Sequence, residues 1–285
     1  MTYNRAVTAH DDAMRRDAAR FGAAVAARLR RDADRLRNEW QGSGPVRHFI
    51  VDDLLPPDET RALAAAVPPS SSLMLKKSLR EQKRVGVDVR RYDPIIGAGL
   101  FAFQHPEVVA AVTAITGLEA MVPDPTLYAS GISVMADGDY LRPHLDNSHD
   151  GEQQLYRVIN LLFYVSPDWD ARNGGNLELW NEEVREAKVV ECRFNRLAVM
   201  ETNRHSWHSV QKVRAAQPRI CFSNYYFSPR SPEGVAYRNV TSFRGRPEEP
   251  LVRAALWIDR HMLNAIGRAL PFLLTRNKHR MTDRQ

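Results

Sequence analysis

From about residue 126 to residue 228 the chain is cut into short runs of β-forming residues divided by turns, and this texture constrains the fold more than any other feature. "LYASGISVM" ends at the turn "ADGD" (136–139). "LYRVINLLFYVS" ends at Pro167, and "NGG" at 173–175 turns the chain into "NLELW". "RLAVM", "WHSVQKV" and "RICFSNYYFS" follow. Val, Ile, Tyr, Phe and Trp favour strands, whereas Gly, Pro, Asn and Asp punctuate them. Short strands at this pitch predict an all-β barrel or sandwich core.

Helical patterns flank that core. Residues 11–40 are rich in Ala, Arg and Leu, contain only Gly22 as a breaker, and repeat Phe21, Val25, Leu29 and Leu36 at helical spacing. They predict one long helix. "HFIVDDLLPPDETRALAAAV" predicts a short strand, a turn, and a helix opened by Pro56, Pro57 and Asp58. "HPEVVAAVTAITG" predicts a helix closed by Gly117. A helical pattern returns over 251–270 and is interrupted by Pro271, ahead of a basic "RNKHR". The expected organisation is an N-terminal helical extension (1–45), a central domain (46–230, β core about 126–228) and a C-terminal helical, basic extension (231–285).

Two cysteines, Cys192 and Cys221, exclude a disulfide framework and a Cys-rich zinc site. Cys221 reads as a small buried apolar residue. The first residues hold no apolar run of the secretory-signal type, and no stretch reaches the ~18 apolar residues of a membrane span. A cytoplasmic location is expected. The net charge of +6 is unevenly placed. Residues 1–40 hold nine Arg against six acidic residues, and 244–285 hold nine Lys or Arg against four. Residues 41–243 hold 22 basic and 24 acidic residues. Basic ends suit an anionic partner, such as the inner face of a membrane contacted peripherally. Solvated Arg-rich helix faces explain them as well. No nucleic-acid partner is expected, and nothing in the sequence reports an oligomeric state.

"YLRPHLDNSHDGEQQ", residues 140–154, places His144, Asp146, His149 and Asp150 within seven positions. In a strand, residues two apart face the same side, so His144 and Asp146 point together. A third ligand must come from elsewhere, and "NRHSWHSV" at 203–210 offers His205 and His208. Two neutral imidazoles and one carboxylate leave positions open on an octahedral ion, the facial arrangement of non-haem Fe(II) oxygenases. A zinc hydrolase built on His144, Asp146 and His149 is one alternative, and an ordinary surface His–Asp pair is another.

The run "HLDN…YRVINLLFYVSPDW…GGNLELW…RLAVMETNRHSWHSV…RICFSNYYFS" resembles the 2-oxoglutarate- and Fe(II)-dependent dioxygenases, and among them the prolyl-hydroxylase-like branch. It covers about residues 126–228, with a weaker echo in "FIVDDLLPPDE". The resemblance implies a mainly β fold with flanking helices around a double-stranded β-helix (jelly-roll) core. It implies a catalytic Fe(II) held by His144, Asp146 and His208, with His208 preferred to His205. It implies 2-oxoglutarate as cosubstrate and O2 as oxidant. Arg219 takes the place of the family's cation for the far carboxylate of 2-oxoglutarate, where a planar guanidinium fork suits better than an ammonium. Arg219, Cys221, Ser223 and Tyr225 share one strand face, so Ser223 can add a hydroxyl. Asn160, Leu162 and Tyr164 share another. Tyr164 falls where the family often places a carboxylate-binding tyrosine, and Asn160 is a further candidate contact. Near Met135 some relatives keep another cosubstrate tyrosine, but the match across this turn does not assign Tyr140 to that role. His149 and Asp150 read as loop residues, and Tyr128 and Trp207 as core.

The reaction implied is oxidative decarboxylation of 2-oxoglutarate to succinate and CO2, coupled to hydroxylation of an unactivated C–H bond of an organic substrate. The resembling halogenases carry a small residue at the position of Asp146, so a carboxylate there argues for hydroxylation. "LKKSLREQKRVGVDVRR" (75–91) carries Lys76, Lys77, Arg80, Lys83, Arg84, Arg90 and Arg91 against Glu81 and Asp88, where related enzymes often form a lid. An acidic small molecule or glycan is therefore expected as substrate, such as an acidic sugar or a lipid-linked saccharide. A peptidyl or free amino acid is the other substrate class. A non-catalytic metal-binding or sensing module is the alternative of a different kind, against which Arg219 and Tyr164 count.

Overall fold

Strand alternation sorts most of the β residues into two main cores, one on each face of a single curled sheet, and Leu145, Trp180, Val184 and Trp207 form a third, smaller cluster. The computed structural model describes residues 2–86 and 88–258. Its strands are β1 (His48–Val51), β2 (Met74–Lys77), β3 (Glu81–Gly86), β4 (Val122–Pro123), β5 (Gly131–Met135), β6 (Tyr140–Leu145) and β7 (Tyr156–Tyr164). They continue as β8 (Leu177–Trp180), β9 (Ala187–Val190), β10 (Arg196–Glu201), β11 (His208–Val210), β12 (Arg219–Ser228) and β13 (Ser242–Phe243). All pair antiparallel, in the order β1-β10-β7-β12-β5-β3-β6-β11-β8-β9, with β2 on β3, β4 on β12 and β13 on β6. The β-rich middle thus forms the expected curled, jelly-roll-type sheet with flanking helices.

On β12, Ile220, Phe222 and Tyr226 face outward and pack with Leu161 and Phe163 of β7 against the helices. Cys221 faces the inner core with Tyr164, Leu177 and Leu179. The helices are α1 (Thr2–Arg31), α2 (Ala33–Gly42), α3 (Pro57–Ala65), α4 (Pro94–Phe101) and α5 (Pro106–Thr116). Gly117 closes α5 in the left-handed region, φ 72°.

The single helix expected over 11–40 is in fact two. Asp32 leaves helical geometry (φ −101°, ψ 8°), and its carboxylate accepts hydrogen bonds from Arg28 at 2.5 Å and Arg35 at 3.0 Å, one from each side of the break. The bend keeps one apolar stripe on the sheet: Phe21, Val25 and Leu29 of α1 and Leu36 and Trp40 of α2 join the same core as β7 and β12. Helix propensity is blind to such a bend, because tertiary packing imposes it. The basic segment 75–91, where related enzymes often form a lid, borders a cavity through Lys76, Arg80 and Lys83. It supplies the β2–β3 hairpin, and β3 lies within the sheet between β5 and β6.

Residues 250–258 begin a C-terminal helix, with Leu256 buried in the inner core. The rest of the predicted helix, to residue 270, and the basic tail 271–285 lie outside the described residues. No single helix among the described residues is long and apolar enough to cross a membrane.

Candidate active site

β6 and β11 are paired with His144 opposite His208, and Asp146 follows directly after β6. The two imidazoles lie with ring centroids 4.1 Å apart, and Phe243 of β13 stacks on His144 at 5.3 Å. His144 Nδ1 lies 3.0 Å from the Arg142 carbonyl and His208 Nδ1 lies 2.9 Å from the Ser206 carbonyl. Each ring can donate Nδ1–H to the backbone, which fixes the tautomer and leaves Nε2 as the free donor atom. Both Nε2 atoms stand 3.8 Å from an Asp146 carboxylate oxygen, too far for a hydrogen bond. The ligand atoms of the three residues lie within 4.8 Å of one another. Asp146 Oδ2 has no hydrogen-bond donor of its own. This donor set fits one ion with open positions, as Fe(II) requires.

The charges favour metal binding. Burial, reinforced by the neighbouring His208, pushes the His144 pKa down to about 3, so the imidazole is neutral at pH 7. Burial alone would lift Asp146, but Arg157, His208 and His144 outweigh it and hold the carboxyl at about 2. Arg157 Nη1 stands 3.3 Å from Asp146 Oδ2. Its guanidinium lies 4.1 Å from the centre of the Tyr225 ring, and its Nε and Nη2 are buried without a hydrogen-bond partner.

A second cluster sits at the opposite end of the β7–β12 pair, where Cys221 is paired with Tyr164. Arg219, 2 % exposed, donates Nε–H to the Gly175 carbonyl at 2.7 Å, and its guanidinium lies 4.9 Å from the centre of the Tyr164 ring. Gly175 has φ 66°, and a Cβ there would come within 2.7 Å of Arg219 Cδ, so the "NGG" turn is what lets the arginine pass. The Tyr164 hydroxyl is buried without a hydrogen-bond partner, and burial raises its pKa, so it is a neutral donor. A buried cation beside an unsatisfied hydroxyl fits the far carboxylate of 2-oxoglutarate.

A cavity of about 420 Å³ opens on the metal-facing residues. His144, Asp146, Arg157, Ser223 and Tyr225 line it, together with Lys76, Arg80, Glu81 and Lys83 from the β2–β3 hairpin. Arg219 and Tyr164 lie outside that lining, further along β12 and β7.

The expected site residues fall as follows. His144, Asp146 and His208 come together, as do Arg219 and Tyr164. Ser223 faces the cavity but donates its hydroxyl to the Gly131 carbonyl at 3.2 Å. Asn160 is buried across from Tyr225, with its Oδ1 unsatisfied. His205 lies apart: its side chain is 41 % exposed and its Nδ1 is 2.7 Å from Glu182. His149 pairs with the Ser148 hydroxyl at 2.7 Å and packs on Tyr156, which leaves the hydrolase set without its third ligand. Tyr140 donates to the carbonyl of Ser78 at the cavity rim but is not itself among the lining residues. Cys221 is buried, and burial pushes its thiol up to about 12. Arg157 is the residue that sequence reading missed. Its only signal is the one charge in a strand that is apolar and aromatic but for Asn160, at a parity that predicts the outer face.

Residues 130–227 match the model of a family described as the 2OG-Fe(II) oxygenase superfamily. Egl nine homolog 1 of Rattus norvegicus is 29 % identical over 108 residues, which are 37 % of this chain and 30 % of that protein. Its counterpart in Homo sapiens is 29 % identical over 108 residues, 37 % of this chain and 24 % of that one. The match thus spans less than a third of these curated relatives. A solved prolyl-4-hydroxylase from Pseudomonas putida shares 18 % identity at a TM-score of 0.51, covering 68 % of this chain and 98 % of its own. A prolyl hydroxylase from Trichoplax adhaerens, solved in complex with a hypoxia inducible factor oxygen degradation domain peptide fragment, shares 16 % identity at 0.52, covering 70 % and 90 %. These two likenesses show the fold.

Proposed function

We propose, from the premise that residues 130–227 are a 2OG-Fe(II) oxygenase domain of the prolyl-hydroxylase-like kind, that this protein is a 2-oxoglutarate-dependent dioxygenase that hydroxylates an anionic organic substrate. The observation that carries this reading is the pairing of two clusters on one inner sheet face: His144, Asp146 and His208, and Arg219 with Tyr164. A metal-binding module has no need of the second. When bound, Fe(II) and 2-oxoglutarate supply the oxidising chemistry with O2. His144 and His208 hold their Nε2 atoms toward the metal position through backbone-anchored Nδ1–H groups, and Asp146 supplies the negative charge. Arg219 and Tyr164 orient the cosubstrate by its far carboxylate.

Arg157 and the basic hairpin support an anionic substrate. Lys76, Arg80, Lys83 and Arg157 line the cavity against only two carboxylates, Glu81 and Asp146. Glu81, 3.0 Å from Lys83, offsets one of these charges and Asp146 belongs to the metal set, so a positive excess remains. An acidic sugar or another carboxylate- or phosphate-bearing molecule satisfies the buried donors of Arg157. A second reading, hydroxylation of a peptidyl or free amino acid, is favoured by β2. Among the described residues β2 pairs only with β3, and it exposes Met74 and Leu75 beside cavity-lining Lys76. A peptide can add to such an edge as an extended strand.

The test combines purified protein, Fe(II) and 2-oxoglutarate, with succinate release followed and a panel of anionic metabolites and peptides screened for a mass gain of one oxygen. His144→Ala, Asp146→Ala and His208→Ala are each expected to abolish succinate release, while His205→Ala retains most of it. Activity lost in His205→Ala but kept in His208→Ala would exclude the ligand assignment.

A further inference from the structure

We propose that the helix beginning at residue 250 docks this protein on an anionic lipid surface through Leu251, Ala254, Ala255, Trp257 and Ile258. Over 251–258 the exposed residues are these five, and all are apolar. A helix on the surface of a globular domain normally turns charged and polar residues outward. Leu251 at 86 %, Trp257 at 61 % and Ile258 at 55 % are the three most exposed large hydrophobics among the described residues.

The opposite face is fixed to the β core. Leu256 is 1 % exposed within the inner core, and Val252 packs there too. Arg253 donates from Nη1 to the Val184 carbonyl at 3.0 Å and from Nη2 to the Glu183 carbonyl at 2.7 Å. The apolar residues are therefore presented by an anchored helix, beside the strand β13 whose Phe243 walls the cavity.

Charge selects the occupant. The sequence after this helix turn, 259–285, holds six Lys or Arg residues against two Asp. Two copies meeting through this face would bring two such basic segments together, which like-charge repulsion disfavours. An anionic bilayer accepts both features: apolar side chains enter the acyl boundary, Trp suits headgroup depth, and Lys and Arg meet the phosphates.

The test is flotation of full-length protein with vesicles of equimolar phosphatidylcholine and phosphatidylglycerol at low salt. The protein is expected to float with them, not with phosphatidylcholine alone, and to be released as salt screens the charges. The exposed double substitution Leu251→Glu with Ile258→Glu is expected to weaken binding about tenfold or more while thermal unfolding stays unchanged. Trp257→Phe is expected to remove a lipid-induced shift in tryptophan emission, and serves if the double variant folds poorly. No flotation of the wild type overturns the proposal. So does equal flotation of the double variant, which would mean that charge alone acts. A wild-type dimer that the double variant dissolves, without vesicle affinity in either, makes the face a contact between copies and overturns it too. None of these readouts depends on the dioxygenase reading.

Discussion

Arg157 faces Asp146 across 3.3 Å because β7 carries a bulge. Opposite β12, Asn160 pairs with Tyr225 and Ile159 with Tyr226, but Phe227 meets Arg157, so Val158 is passed over. Val158 and Ile159 both join the outer core, and the Val158 carbonyl accepts from Thr202 N at 2.9 Å. The extra residue turns Arg157 to the inner face, beside the carboxylate of the candidate metal set.

Arg157→Gln is expected to raise the KM of an anionic substrate, since a charged hydrogen bond in a closed site is worth about 1.5–3 kcal/mol. Arg157→Lys is expected to do little better, because a point charge does not reproduce the fork. Succinate release without substrate persists in both. Steady-state kinetics with the substrate found in the screen decide it, and an unchanged KM removes Arg157 from substrate recognition.

Arg219→Ala is expected to raise the KM for 2-oxoglutarate steeply, at a cost of roughly 2–5 kcal/mol for truncating one partner of a buried charge pair. Arg219→Lys is also poor. Tyr164→Phe removes only the hydroxyl and costs less, about 1.5–3 kcal/mol for one hydrogen bond to a charged acceptor. If 2-oxoglutarate saturates Arg219→Ala as it does the wild type, the cosubstrate carboxylate binds elsewhere.

Acid should weaken the metal-free fold in a defined window. His144 is held at about 3 against an ordinary 6.5, so the unfolded chain takes up this proton first as pH falls. Its contribution is fully present above pH 6.5 and is lost toward about pH 3, at up to about 1.4 kcal/mol per pH unit. Asp146, held at about 2 against 3.8, adds a loss in the same direction at lower pH. Urea melts from pH 6.5 downward measure the slope, and His144→Gln should flatten it. A flat wild-type profile would place His144 in solvent.

Trp40 tests whether the first helices are separable. It is 1 % exposed, edge-on to Phe49 of β1 at 6.2 Å, and shares a core with β7 and β12. Trp40→Ala is expected to cost about 3–5 kcal/mol in denaturant unfolding. A chain lacking residues 1–45 that unfolds like the full-length protein would make these helices a detachable appendage.

The strand texture, the "NGG" turn and the shared face of His144 and Asp146 were readable because each depends on neighbours a few residues away. Strand parity, turn conformation and residue spacing are local properties. Residue spacing alone leaves the third ligand open between His205 and His208, and the family resemblance favours His208. In the structure the β6–β11 register brings His208 to His144 and leaves His205 outside. The helix break at Asp32, the insertion of β3 between β5 and β6, and the bulge that turns Arg157 inward were likewise decided in three dimensions. Each is fixed by hydrogen bonds and packing between residues far apart in the chain. Local sequence sets which faces a segment can offer, and only the paired sheet determines which face meets the site.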